Sequence, residues 1–261
     1  KIITTLAGLE SGKISPFTSF FCKGSFFLGA QEFSCWEPHG MQDLRLALMH
    51  SCNVYFYHVG LLVGPEILNK YARELGLGNP TNIDLLSESR GLVPSRLQKK
   101  IAKNESWYSG DTVNFSIGQG DILVTPLQMV ELMSAVVNGA TGIRPHLVKK
   151  IENKELAYSQ PGAKLKIKPE SLERVRSYLR SVVVDTTGTA HILDIADLSI
   201  AGKTGTVQVS KGKPHAWFVG FLPAKNPRLV FCVFLENGGS SYNACVVAKE
   251  MFMTMLAEKI L

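Results

Sequence analysis

The sequence lacks any run of about 18 apolar residues, which is the length that a helix needs to cross a bilayer. It also lacks low-complexity tracts and repeats of about 20 to 50 residues. These absences exclude a membrane-spanning helix within the chain, a disordered or fibrous protein, and a solenoid or propeller. What remains is a globular chain of 261 residues, 45% of them hydrophobic, which can form one large core or two modest ones.

Charge of both signs is sparse, since only 19% of the residues are charged. The 28 lysine and arginine residues exceed the 22 acidic residues by 6, which suits an anionic surface or substrate. The densest basic run, Arg96 to Lys103, contains no aromatic residue and predicts a solvated helix face. We therefore expect no nucleic-acid partner.

The start of the chain lacks both the charged segment and the small-residue cleavage site of a signal peptide. Apolar residues at helical spacing begin at once, from Lys1 to Glu10, without a residue that could cap the helix. A helix that began on a free ammonium group would place positive charge at the positive end of its dipole. We therefore expect that the chain begins inside a longer protein.

The order of periodic segments predicts an α+β fold. Helices are predicted at 1–10, 44–50, Pro65–Leu75, Pro126–Asn138, Pro169–Val184 and Ser241 to about Ile260, after an irregular stretch from Ser15 to Gly40. Strands are predicted at Leu198–Val209, His215–Phe221 and Arg228–Glu236. Consecutive strands after a helical block indicate an antiparallel sheet flanked by helices, with a mainly helical subdomain.

Two short motifs are weak alone and informative together. Ser51-Cys52-Asn53 lies on a predicted turn between helices, and Lys203-Thr204-Gly205 lies near the middle of a predicted strand. With Lys1 in the first turn of a helix, their order matches the serine acyltransferase pattern S-x-x-K, S-x-N, K-T-G. Lys1 would be the lysine of the first motif, and its nucleophilic serine would lie three residues upstream, outside this chain.

At these residues the sequence resembles the transpeptidase domain of class B penicillin-binding proteins, most closely the elongation type, penicillin-binding protein 2. The resemblance covers residues 1–261, as one domain that begins just after the nucleophilic serine. The landmarks are Ala7-Gly8-Leu9-Glu10-Ser11-Gly12, Tyr55-Phe56-Tyr57, Gly91-Leu92-Val93-Pro94, Ser116-Ile117-Gly118-Gln119-Gly120, Val124-Thr125-Pro126-Leu127-Gln128, Gly188-Thr189-Ala190 and His215-Ala216-Trp217-Phe218-Val219-Gly220-Phe221.

Acyl transfer needs a base, a proton relay and a grip on the substrate. Lys1 could take the serine's proton if burial and the neighbouring cation Lys203 lower its pKa. Ser51 can both donate and accept a hydrogen bond, as a relay must, and the amide of Asn53 can hold the substrate's peptide group. The alternatives are a surface lysine on a frayed helix end and a pair of helix-capping residues.

The third motif fits a site for a terminal carboxylate. Lys203 supplies charge, Thr204 and Thr206 supply hydroxyls, and Gly205 lets a peptide lie against an edge strand as an added β-strand. The resemblance implies that the backbone N–H of Thr206 forms half of the oxyanion hole and that the missing serine forms the other half. The alternative is a glycine-bearing turn with an exposed lysine.

Cys22, Cys35, His39 and Cys52 have the spacing C-x12-C-x3-H-x12-C. A Cys3His set can close a tetrahedral structural zinc site, although this spacing is not that of a zinc finger. The resemblance favours the metal, because some elongation-type members hold one near this position. The alternatives are a disulfide between Cys22 and Cys35, since the parent would work where thiols can be oxidised, and free thiols.

The resemblance implies an enzyme that cross-links peptidoglycan stem peptides ending in D-Ala-D-Ala and binds β-lactams. It would work at the outer face of the cytoplasmic membrane, anchored through an N-terminal segment absent from this chain, with partners in the cell-wall elongation complex. This chain alone is expected to be inactive. The alternatives are a β-lactamase or β-lactam sensor of the same fold and a non-catalytic binding module whose fold is stabilised by zinc.

Overall fold

The computed structural model describes residues 1–152, 154–155 and 164–260 and has the predicted α+β arrangement. The helices are α1 (Ile2–Glu10), α2 (Leu44–Met49), α3 (Asn53–Val63), α4 (Pro65–Glu74), α5 (Arg96–Lys103), α6 (Ser109–Ser116), α7 (Pro126–Val137), α8 (Pro169–Val184) and α9 (Ser241–Ala257). The strands are β1 (Phe20–Cys22), β2 (Ser25–Leu28), β3 (Gln31–Ser34), β4 (Gly40–Gln42), β5 (Lys150–Ile151), β6 (Lys154–Glu155), β7 (Ala201–Val207), β8 (His215–Leu222) and β9 (Leu229–Leu235). Within these ranges, no helix combines the length and the apolar character that crossing a bilayer requires.

The main sheet is antiparallel in the order β7-β8-β9, so β7 is an edge strand of the sheet as described. Helices α8 and α9 contact this sheet, and buried aromatic side chains such as Phe218, Phe221 and Phe252 fill the space between the layers. The three predicted strands are confirmed, although β7 begins at Ala201 rather than at Leu198. Lys203-Thr204-Gly205 therefore lies in the middle of an edge strand.

The helical part packs around α1 and α3. Leu6, Tyr55 and Phe56 are fully buried there. Helices α3 and α6 approach closely at Gly60, where a Cβ atom would lie 2.3 Å from the Cβ of Ser116. The absence of a side chain at Gly60 thus permits the close packing of α3 on α6.

The stretch from Ser15 to Gly40, expected to be irregular, contains short strands. Strand β1 pairs with β4, and β2 pairs with β3, all antiparallel. Contacts between aromatic rings hold this segment against α3. Phe20 stacks on His58 with ring centroids 4.4 Å apart, and Phe26 packs against Tyr57. Strands of three or four residues give too little alternation for a sequence pattern to reveal them.

The basic run is the helix α5, but only part of it is a solvated charged face. Lys99 is buried, and its Nζ lies 2.7 Å from Oδ2 of Asp111 and 3.5 Å from Oε2 of Glu105. Leu97 and Ile101 face solvent instead. The expectation of a fully solvated face is therefore wrong at Lys99, because two carboxylates on following segments compensate its burial.

Candidate active site

A tight turn between α2 and α3 carries the second motif. Ser51 has φ +53°, a left-handed conformation that a non-glycine residue seldom adopts. Cys52 follows as the N-cap of α3, and its Sγ accepts a hydrogen bond from the backbone N–H of Tyr55 over 3.5 Å. Ser51 and Asn53 consequently face the start of α1, while Cys52 is fully buried.

Lys1 joins the first motif to the second. Its Nζ donates to the backbone oxygen of Ser51 over 2.9 Å, to Oγ of Ser51 over 3.0 Å and to Oδ1 of Asn53 over 2.7 Å. Burial lowers the pKa of the Lys1 amine to about 8, although the Cys35 and Cys52 thiols oppose the change. A substantial fraction of this amine is therefore neutral near pH 8 and able to accept a proton.

Lys203 is buried on β7, and its Nζ donates to the backbone oxygen and to Oγ1 of Thr204, each over 3.2 Å. Burial, and then the charge of Lys1, hold the pKa of Lys203 well below its ordinary value. The sequence predicts that Lys203 lowers the pKa of Lys1. Burial is the largest cause of the lowered pKa of Lys1. The repulsion between the two amines instead lowers the pKa of Lys203.

The free edge of β7 presents backbone groups to the cleft. In an antiparallel strand the N–H and C=O of one residue point to the same side. The backbone oxygen of Thr206 accepts a hydrogen bond from Nε2 of Gln119, which lies outside the sheet. The N–H of Thr206 therefore also points away from β8, toward the space beside the edge, as an oxyanion donor must. Gly205, between Thr204 and Thr206, adds no side chain to obstruct a ligand there.

Two residues of this region had no role assigned from the sequence. Gln119 contacts β7 as just described, and Thr189 places its Oγ1 2.7 Å from Oγ1 of Thr204. Both lie in landmark motifs, so the signal was present in the sequence. Their contacts with β7 depend on tertiary packing, which the motifs alone do not specify.

The predicted ligand set converges beside this site. One ligand atom each from Cys22, Cys35, His39 and Cys52 lies within 4.8 Å of the others. Nδ1 of His39 is 3.5 Å from Sγ of Cys22 and 3.5 Å from Sγ of Cys35. All five cysteines are free thiols in this structure, so Cys22 and Cys35 are not joined.

The electrostatics of this cluster favour one thiolate. A hydrogen bond from the Cys52 thiol, followed by backbone N–H groups of Val54 and Asn53, holds the pKa of Cys35 well below its ordinary value. The same bond and burial raise the pKa of Cys52. Nε2 of His39 is buried without a hydrogen bond and lies 3.7 Å from the Glu37 carboxylate. Metal-binding histidines usually donate their second ring N–H to a carboxylate or carbonyl, and here a carboxylate lies near that nitrogen without a hydrogen bond to it.

Distances test whether these residues fit zinc. With Zn–S of about 2.3 Å and Zn–N of about 2.0 to 2.1 Å, tetrahedral geometry places sulfur and nitrogen ligands about 3.6 Å apart. The two measured separations from Nδ1 of His39 to sulfur, both 3.5 Å, match this value. The residues present therefore fit a structural Cys3His zinc site.

The fold and the three motifs together have the form of an active-site-serine acyltransferase domain that contains the lysine, hydroxyl and amide groups. The family profile described as the penicillin binding protein transpeptidase domain matches residues 1–257. The chain therefore belongs to the family of penicillin-binding protein transpeptidase domains.

Individual relatives agree with this assignment. The chain is 33% identical over 260 residues to peptidoglycan D,D-transpeptidase MrdA of Salmonella typhimurium, covering 90% of this chain and 42% of that protein. Penicillin-binding protein 2 of Pseudomonas aeruginosa superposes with a TM-score of 0.87 at 33% identity, covering 96% of this chain and 56% of that one. Penicillin-binding protein 2 of Helicobacter pylori, in its complex with MreC, gives 0.88 at 31% identity, covering 100% and 49%.

The chain thus spans less than half the length of the curated relative it matches. The similarity concerns the transpeptidase domain alone.

Proposed function

We propose that this chain is the transpeptidase domain of a peptidoglycan D,D-transpeptidase that serves cell-wall elongation. The observation that supports this best is the contact of Lys1 Nζ with Oγ of Ser51 and Oδ1 of Asn53, beside the buried Lys203. Lys1 would be the base, Ser51 the proton relay and Asn53 the group that binds the substrate's peptide bond, which are roles that acyl transfer from a peptide requires.

In the proposed reaction the nucleophile is a serine three residues before Lys1, outside this chain. Its side chain would lie one helical turn before Lys1 on the same face. The neutral Lys1 amine takes the serine proton as Oγ attacks the carbonyl of the penultimate D-alanine. Ser51 donates its hydroxyl proton to the leaving nitrogen and takes a proton from the Lys1 ammonium, which becomes a neutral amine again. The C–N bond breaks, D-alanine departs, and an acyl-serine forms. An amine of a second stem peptide then attacks this ester, and the serine regains its proton.

The donor peptide is expected to bind along β7. Its terminal carboxylate would meet Lys203 and the hydroxyls of Thr204 and Thr206, and its backbone would extend the sheet past Gly205. The N–H of Thr206 would stabilise the oxyanion. β-Lactams, which carry a carboxylate and a reactive amide, would bind in the same way.

The proposal includes one structural zinc ion held by Cys22, Cys35, His39 and Cys52. A closed four-ligand site supplies folding energy rather than chemistry at the substrate. The ion would join the segment that carries β1–β4 to the turn of Ser51. Its effect on acyl transfer is thus indirect, through the position of the relay and clamp residues.

The proposed location is the outer face of the cytoplasmic membrane, where peptidoglycan is assembled, through an anchor outside the chain. Elongation-complex proteins are the proposed partners, by analogy with the Helicobacter pylori complex of penicillin-binding protein 2 with MreC.

The test is labelling by a fluorescent penicillin. The longer protein, with serine three residues before Lys1, should form one stable adduct on that serine, and replacement of the serine by alanine should abolish it. Residues 1–261 alone should not be labelled.

The longer protein should also join stem peptides with release of D-alanine, whereas rapid hydrolysis of penicillin would indicate a β-lactamase. A longer protein that lacks the serine would support a non-catalytic binding module, and a stoichiometric adduct on Ser51 would contradict its role as relay.

A further inference from the structure

Thr189 connects two parts of the proposed site that are distant in sequence. It lies on the segment between α8 and β7, in the motif Gly188-Thr189-Ala190. Its backbone N–H donates to the oxygen of Met49, at the end of α2, over 3.3 Å. Its hydroxyl lies 2.7 Å from Oγ1 of Thr204 and 3.4 Å from the same Met49 oxygen. Thr189 therefore contacts both the helix that precedes Ser51 and the strand that carries Lys203.

Proton counting shows what the contact with Thr204 can do. A hydroxyl has one proton and two lone pairs. One lone pair of Thr204 accepts from Nζ of Lys203 over 3.2 Å. The hydrogen bond between the two hydroxyls, 2.7 Å apart, uses the proton of only one of them. Either Thr204 donates to Thr189, or Thr189 donates to Thr204. In the first case the proton of Thr204 is not available to a ligand.

We propose that Thr189 is a positioning residue for carboxylate recognition, whose hydroxyl donates a hydrogen bond to Thr204 when a ligand carboxylate arrives. Thr204 then accepts from both Lys203 and Thr189 and donates its own proton to the carboxylate. Before binding, the reverse order applies: Thr204 donates to Thr189, whose proton points to the Met49 oxygen. This inference rests on the proposed function, because it assigns Thr189 as the residue that orients the Thr204 hydroxyl toward the ligand carboxylate.

The two arrangements differ only by hydroxyl rotation, and neither leaves a buried polar atom without a partner. The Met49 oxygen keeps the hydrogen bond from the Thr189 N–H after the hydroxyl turns away. A hydroxyl that accepts two hydrogen bonds is polarised and becomes a better donor. Thr204, which is 7% exposed, thus offers a fixed and strengthened O–H to the anion.

The experiment uses the longer protein with its serine and compares benzylpenicillin with its methyl ester, which has no carboxylate. We expect Thr189→Val, which keeps the shape and removes the hydroxyl, to lower the second-order acylation rate for the acid about 10-fold. The rate for the ester should change by less than about 2-fold. Thr189→Ser should restore the parental rates. Thr186→Val is the matched control, because Thr186 is exposed on the same segment and its hydroxyl makes no hydrogen bond among the described residues.

A double-mutant cycle separates positioning from a general loss of structure. With Thr204 already replaced by valine, Thr189→Val should not slow the acid further. Equal losses for acid and ester, or an additive loss in the cycle, would overturn the inference. If the parental protein is acylated normally and Thr189→Val is as fast as the parent, this inference alone fails. If the parental protein is not acylated, the proposed function fails together with it.

Discussion

The backbone N–H of Asn53 donates a hydrogen bond to Sγ of Cys35 over 3.1 Å. Oδ1 of the same Asn53 accepts a hydrogen bond from Lys1 over 2.7 Å. One residue is thus shared by the cysteine cluster and the proposed active site. Any change in the cluster that moves Cys35 is transmitted to the amide that we assign to substrate binding.

The first prediction concerns Cys52→Ser. Serine can still cap α3, as Cys52 does through Tyr55, so the substitution mainly removes a metal ligand. We expect loss of about one equivalent of zinc, a loss of several kcal/mol in the free energy of unfolding, and loss of acylation in the longer protein. Elemental analysis of protein purified without a histidine tag and thermal unfolding are the measurements. Cys232→Ser is the control, because Cys232 lies on β9, outside the cluster.

A thiol count under denaturing conditions distinguishes the remaining alternative. Metal below about a tenth of an equivalent, together with two thiols missing from the count, would replace the zinc site with a disulfide between Cys22 and Cys35.

The second prediction concerns the amines and hydroxyls of the site. In the longer protein, Lys203→Ala should slow acylation by penicillin about 100-fold or more, because the amine that an arriving carboxylate would favour in its protonated form, and bind, is lost. Ser51→Ala should lower the acylation rate with little change in melting temperature, since Ser51 is only partly buried. Stopped-flow acylation and thermal unfolding are the measurements. Parental rates in both variants would contradict the interpretation of the three motifs.

The third prediction tests the close approach of α3 and α6. Alanine is the better helix former, so Gly60→Ala would stabilise an isolated helix. Here the new Cβ would lie 2.3 Å from that of Ser116, and we expect a loss of about 1 to 3 kcal/mol in urea unfolding. Adding Ser116→Gly should recover part of this loss. In Gly110→Ala the new Cβ would lie 3.3 Å from Cζ of Phe33 and 3.4 Å from Oε1 of Gln31, a much milder contact, so the loss should be clearly smaller. An equal loss there would refute the steric explanation.

The fourth prediction concerns the pH dependence of stability. Burial, with a contribution from Glu88, raises the pKa of Glu131 to about 7 from an ordinary value of 4.5. Because folding favours the protonated form, the contribution of Glu131 is fully present below pH 4.5 and is lost as the pH rises through 7. Glu131→Gln should therefore be more stable than the parent at pH 8, by about 1 kcal/mol once solvent screening is considered, and nearly equal at pH 4. Melting temperatures at both pH values measure this, and an equal gain at both would exclude ionisation as the cause.

The three motifs and the long elements could be predicted because their signals are local. Ser51-Cys52-Asn53 and Lys203-Thr204-Gly205 are contiguous, and helices such as α8 repeat their apolar residues over several turns. The cysteine cluster was predictable for a related reason, since few residue types bind zinc and four residues of two such types, cysteine and histidine, occur within 31 positions of the sequence.

Other features depend on tertiary contacts that no local pattern encodes. The inward position of Lys99 requires Asp111 and Glu105, which follow α5 in sequence. The contact of Thr189 with Thr204 requires the segment after α8 to fold back onto β7. Strands β1–β4 depend on the packing of rings such as Phe20 on α3.

The position of β7 at the edge of the sheet also bears on pairing between copies of the chain. An open edge is a template for pairing with another chain, and proteins protect such edges with short strands and inward-pointing charges. Strand β7 is not short, but it carries Lys203, whose amine points inward and is buried, and the Thr206 carbonyl is covered by Gln119. The groups that we assign to recognition of one peptide strand thus also discourage the pairing of two copies along the same edge.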